Sequence, residues 1–270
     1  MLNTRTRVLN LKLYALKNEY RKLLELFTTM ILFMYINIFF FSIGFSKKIK
    51  LPTSIILNKH VPRGRNQELY VKYLEDPSVK IVAGVGSAGT GKTLFACDAA
   101  IKMLYSGNQN VKKIILTRPL VFVENENIGF LPGDINSKMN PWLLPIFDVF
   151  LEYYTLSEIN QKIKDGVIEI SPLGYMRGRT FKNCIIIADE IQNATIGQLL
   201  MVATRIGLNS KLIITGDLDQ SDLKMQNGLE HFVNKMKTVN SFNDIRMVEF
   251  NHIDVERSDV VKHVLKLLKD

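Results

Sequence analysis

Eight consecutive residues, Gly86-Ser87-Ala88-Gly89-Thr90-Gly91-Lys92-Thr93, carry the first recognisable chemistry in the chain. They satisfy G-x-x-x-x-G-K-[ST] in full, with an apolar run before them and a helical pattern after. Glycines let the backbone wrap closely and turn its N–H groups inward, toward phosphate oxygens. The N-terminus of the following helix adds partial positive charge. In that setting Lys92 reaches the β- and γ-phosphates of a nucleotide such as ATP, and the Thr93 hydroxyl takes Mg²⁺.

A second constellation follows the apolar run Ile185-Ile186-Ile187-Ala188, which leads straight into Asp189 and Glu190, with Gln192 just beyond. A buried strand here delivers Asp189 to the carboxyl edge of a sheet, where ligands bind in open α/β folds. There Asp189 holds Mg²⁺ through water, and Glu190 polarises the water that attacks the γ-phosphate. Gln192 would couple nucleotide state to the rest of the site. The competing reading, that both acids simply open a helix where negative charge is favourable, is weakened by the phosphate loop upstream. In a third run, Leu212-Ile213-Ile214-Thr215-Gly216-Asp217, the strand ends in polar residues and Gln220 follows. Thr215 or Gln220 is a candidate γ-phosphate sensor; the alternative is an ordinary Gly-Asp turn.

These groups need a scaffold. Strands are expected at 81–85, 113–118, 167–171, 184–189, 211–217 and 246–250. Helices are expected at about 92–105, over most of 137–164, at 195–207 and 225–237, and from 258 onward. Residues 50–67, with Pro52, Pro62 and Gly64, read as an extended lead-in. Apolar strands alternating with helices imply an α/β fold, a mainly parallel sheet covered on both faces.

Taken together, GVGSAGTGKT, LTRPLVFVENENIGFLPGD, YMRGRTFKNCIIIADEIQNAT and TRIGLNSKLIITGDLDQSDL resemble the PhoH family of ATPases over roughly residues 51–265. That family is similar to the N-terminal motor domain of superfamily 1 helicases. The resemblance implies a RecA-like P-loop NTPase fold, Mg²⁺-dependent ATP hydrolysis and action on single-stranded RNA. It also implies that Gln67 reads adenine, that Asp189 and Glu190 are the metal and hydrolysis acids, and that Gln220 touches the γ-phosphate. Arg257 matches a C-terminal arginine of the finger type. With room for one RecA-like domain, the chain is expected to form a homo-oligomeric ring, a hexamer being one candidate. Arg257, or failing it Arg205, would complete a neighbour's site. The catalytic set is then Lys92, Glu190, Gln220 and Arg257. A P-loop kinase acting on a small molecule, and a nucleotide-gated scaffold with negligible turnover, remain alternatives.

For RNA the candidates are Tyr175, Arg177 and Arg179, an aromatic and two arginines suited to base stacking and phosphate contact. Lys112, Lys113 and Arg118 flank a neighbouring strand. The alternative is a structural loop whose arginines pair with local acids.

The net charge of +9 adds little to this. Nine Lys/Arg and two acids in residues 1–50 supply +7 of it, so the body is nearly neutral. Residues 26–46 contain no charge, which is long enough for a helix to cross a bilayer. A membrane anchor, an apolar helix packed on protein, and an extension read from an early start codon are the three readings; in each the ATPase domain, 51–270, is expected in the cytoplasm. With only two acids in residues 1–50, no metal-dependent nuclease centre is expected there. Cys97 and Cys184 read as small core residues rather than a disulfide or metal pair.

Overall fold

In a computed structural model, residues 59–106, 110–119, 143–223, 227–239, 242–256 and 260 are described. All lie in the second of the two units into which the chain divides, Ser54–Asp270. Six strands form one sheet: β1 (Ile81–Gly86), β2 (Lys113–Thr117), β3 (Ile168–Ile170), β4 (Cys184–Ala188), β5 (Lys211–Gly216) and β6 (Ile245–Phe250). Their order is β3-β2-β4-β5-β1-β6, and every pairing is parallel. This is the expected α/β architecture, a parallel sheet with helices on both faces.

Strand β4 shows why these runs are strands. All five of its residues are buried, because a central parallel strand is covered on both sides. Ile185 and Ile187 join one core, while Ile186 and Ala188 join the other. The first core is closed by α1 (Arg65–Glu75), α2 (Lys92–Ser106), α3 (Leu144–Leu151) and α4 (Leu156–Lys164), the second by α5 (Ile196–Ala203) and α6 (Gly228–Thr238). Truncating any of the β4 isoleucines to alanine leaves a cavity and costs about 2–5 kcal/mol.

Several boundaries differ from expectation. Helix α1 begins within the stretch read as an extended lead-in, and it buries Gln67, Tyr70 and Leu74 along one face. The expected helix over 137–164 is two helices, separated at Thr155, whose capping box with Glu158 starts α4; residues 137–142 are outside the described residues. Helix α5 stops at Ala203 rather than 207: the Thr204 hydroxyl turns back to the Leu200 carbonyl, and Ile206 bridges to Phe181. The helix expected from 258, and the apolar residues 26–45, fall outside the described residues, apart from a helical Val260. Among the described residues no helix is long and apolar enough to cross a membrane.

Candidate functional site

The carboxyl ends of β1, β5 and β4 lie side by side, so the three sequence constellations meet. They line one cavity of about 290 Å³, which takes in Lys92, Thr93, Asp189, Glu190, Thr215 and Gln220. The loop 86–93 needs its glycines. Gly86 has φ +140°, and a Cβ there would lie 2.1 Å from the Phe250 carbonyl oxygen on β6. Gly89 and Gly91 sit at φ +83° and +85°, where a side chain is strained. Thr90 is buried, and its hydroxyl donates to the Ser87 carbonyl at 2.9 Å.

Lys92 is buried beneath this loop. Its Nζ donates to the carbonyl oxygens of Gly86 (2.6 Å) and Ser87 (2.8 Å). Thr93 Oγ1 donates to Asp189 Oδ1 at 2.9 Å, and Thr215 Oγ1 donates to the same oxygen at 2.5 Å. Mg²⁺ takes oxygen ligands at 2.0–2.1 Å in near-octahedral geometry, so adjacent ligands lie about 2.9 Å apart. The Thr93 hydroxyl gives its proton to Asp189 and keeps its lone pairs, so the residues present fit a cation held by Thr93 directly and by Asp189 through water.

Glu190 follows with φ +56°, a left-handed conformation uncommon for a side chain of this size. The turn takes the chain out of β4 and leaves the Glu190 carboxylate on the cavity wall. Gln192 Nε2 donates to Glu190 Oε2 at 2.5 Å, and Gln192 Oε1 accepts from the Asp217 N–H at 3.1 Å. Gln192 is fully buried, so it acts as a rigid strut between Glu190 and the end of β5.

The two sensor candidates are engaged within the protein. The Thr215 hydroxyl is engaged with Asp189, and Gln220 Nε2 donates to Asp217 Oδ2 at 2.8 Å. Asp217, which sequence reasoning passed over as a turn residue, accepts the Ala88 N–H at 3.1 Å on the same oxygen. A carboxylate therefore sits on an amide of the phosphate loop. Lys112, Lys113 and Arg118 flank β2 as expected. Strand β2 puts Lys112 and Lys113 at the amino edge of the sheet and Arg118 at the carboxyl edge, about 16 Å apart by strand rise. There the Arg118 guanidinium lies within 4.0 Å of Asp189 and Glu190.

The proposed RNA residues separate too. Arg179 pairs with Glu169 at 2.6 Å and lies over the Phe181 ring at 4.4 Å, and Lys113 holds the other Glu169 oxygen at 2.8 Å. These contacts hold Glu169 below the usual carboxylate range against the opposing effect of burial. Tyr175 and Arg177 are exposed. Arg205 donates to the Met201 carbonyl and the Thr204 hydroxyl at the end of α5. Arg257 is outside the described residues. Cys97 and Cys184 are both buried and free, and burial pushes both thiols up.

Gln67 is buried beside the loop, with its Nε2 donating to the Thr90 carbonyl (3.3 Å) and Glu256 Oε1 (3.0 Å). A second cavity of about 460 Å³ opens here and shares Gly89, Gly91 and Leu94 with the first.

The family model described as "PhoH-like protein" matches residues 60–269. A PhoH-like protein of Bacillus subtilis is 41% identical over 188 residues, covering 69% of this chain and 57% of that protein. One from Synechocystis is 40% identical, covering 74% and 57%. Protein PhoH of Escherichia coli K12 is 40% identical, covering 60% and 45%. The chain thus spans about half the length of these relatives. Among solved structures, the Pif1 helicase of Candida albicans aligns with a TM-score of 0.37 and 15% identity, over 78% of this chain and 44% of the helicase.

Proposed function

This chain belongs to the PhoH-like family, and on that premise we propose that it is a Mg²⁺-dependent ATPase whose RecA-like domain couples hydrolysis to single-stranded RNA. The observation that supports it best is the 2.9 Å contact between Thr93 Oγ1 and Asp189 Oδ1, which joins the phosphate loop to the acid strand over one cavity.

Each residue then has a task. The loop amides and Lys92 take the phosphates, Lys92 leaving the Gly86 and Ser87 carbonyls to do so. Thr93 and Asp189 hold Mg²⁺, which when bound neutralises phosphate charge. Glu190, braced by Gln192, accepts the proton of a water that attacks the γ-phosphorus in line as the bond to the β–γ bridging oxygen breaks. Gln220 senses the γ-phosphate once it leaves Asp217. Positioning and charge complementarity supply most of the barrier reduction. Arg257 completes the site of a neighbouring subunit in a ring. Arg205 is the weaker candidate, because its guanidinium is engaged on its own helix.

For RNA, Tyr175 and Arg177 supply an exposed stacking surface and a phosphate contact, and Arg179 orders the loop that carries them. The test is free phosphate release from Mg·ATP without any acceptor, with and without single-stranded RNA. Turnover that rises with RNA, and falls in Arg177→Ala, is the expected result. Absence of release without an added acceptor would indicate a kinase, and nucleotide binding without turnover a scaffold; either would overturn the proposal.

A further inference from the structure

We infer that Glu256 selects the base of the bound nucleotide, as an acceptor for the 6-amino group of adenine, and that Gln67 is the residue that positions it. The inference rests on the ATP-binding reading above and adds the part of it that concerns the base.

The second cavity continues directly from the phosphate loop, so a nucleotide with its phosphates on the loop places its base there. The donors around it are committed within the protein. Both Gln67 amide hydrogens go to Thr90 and Glu256, and Gln67 Oε1 accepts the Arg63 N–H at 2.8 Å. His60 lies between Asp98 (2.7 Å) and Glu152 (3.3 Å), and Lys59 is 3.3 Å from Glu152. Glu256 differs. Its Oε1 receives Gln67 and its Oε2 receives Arg63 Nη1 at 3.1 Å, one donor on each oxygen. A carboxylate accepts about four hydrogen bonds, so each oxygen keeps capacity for another donor. Its backbone N–H donates to the Gly89 carbonyl at 2.9 Å, which fixes this acceptor relative to the phosphate loop itself.

An incoming base edge therefore meets a negatively charged acceptor with Arg63 donors beside it. Adenine presents an amino donor next to the N7 acceptor, whereas guanine presents two acceptors, O6 and N7. The first pattern complements Glu256 and Arg63. The second sets O6 against a carboxylate.

Hypoxanthine has the purine frame with a 6-oxo group and a proton on N1, so ATP against ITP turns the donor beside N7 into an acceptor. Equilibrium binding of ATP, ITP and pyrophosphate to the full chain is measured for wild type, Glu256→Gln and, as a control on the same strand-end region, Glu249→Gln. Wild type is expected to prefer ATP about ten- to a hundredfold, the worth of one hydrogen bond to a charged group. In Glu256→Gln the preference falls to roughly threefold or less, since an amide can also donate to O6. Pyrophosphate affinity stays the same, showing an intact loop, and Glu249→Gln keeps the wild-type preference. A preference that survives in Glu256→Gln, or wild type that binds ATP and ITP equally, overturns the inference while leaving the phosphate loop standing. Wild type that binds neither ATP nor pyrophosphate overturns both.

Discussion

At the scale of single residues, function rests on side chains committed to one another before any ligand arrives. Asp217 is the clearest case. Its Oδ2 accepts from the Ala88 amide and from Gln220, and its own N–H holds Gln192, which holds Glu190. A phosphate entering the loop competes for that amide and meets the carboxylate's charge, a repulsion of about 4 kcal/mol per unit of phosphate charge at 4 Å for an effective dielectric near 20. Asp217→Asn keeps the acceptor and removes the charge. It is expected to tighten nucleotide binding about tenfold, read by calorimetry; unchanged or weaker binding would contradict this account. Little of this was legible in the sequence. Asp189 and Glu190 could be found because a fully apolar strand ends at them. Asp217, Arg118 and Glu256 act through partners far away in the chain, and neither spacing nor residue type marks such pairings.

Elements were more legible than side-chain pairings. The runs of isoleucine and leucine in β2, β4 and β5 mark strands buried on both faces, and all six expected strands are present within a residue or two at either end. Helix α1 went unseen because Pro62 and Gly64 precede it and its inner face includes the polar Gln67. It is secured from a distance. Lys211, at the start of β5, is buried, and its Nζ donates to the carbonyls of Leu74 (2.5 Å) and Asp76 (2.8 Å) at the helix's C-terminal end. Replacing it with methionine leaves those carbonyls unpaired and should cost about 2–4 kcal/mol, measured by denaturant unfolding. Burial lowers the Lys211 ammonium to about 8. Between pH 8 and about 10.5 the unfolded chain keeps a proton that the folded chain has released, so this group favours folding increasingly as pH rises. The stability gap between wild type and Lys211→Met should therefore widen over that window. A gap that narrows would mean that the charged form is the one the fold prefers.

For the whole molecule, charge and length mislead when averaged. Most of the +9 lies in the first 50 residues, and the body carries its chemistry in local arrangement rather than in net charge. The sheet also separates two ends: the nucleotide cavity at the carboxyl edge, and the Lys113–Glu169–Arg179 cluster toward the amino edge. The account as a whole requires the phosphate loop and the acids after β4 to act on one bound ATP. The most direct measurement is nucleotide affinity and phosphate release in Glu190→Gln, side by side with wild type. The prediction is affinity within about threefold and turnover reduced at least a hundredfold, since a positioned general base is worth about 10²–10⁴. Turnover that persists at the wild-type rate would contradict it.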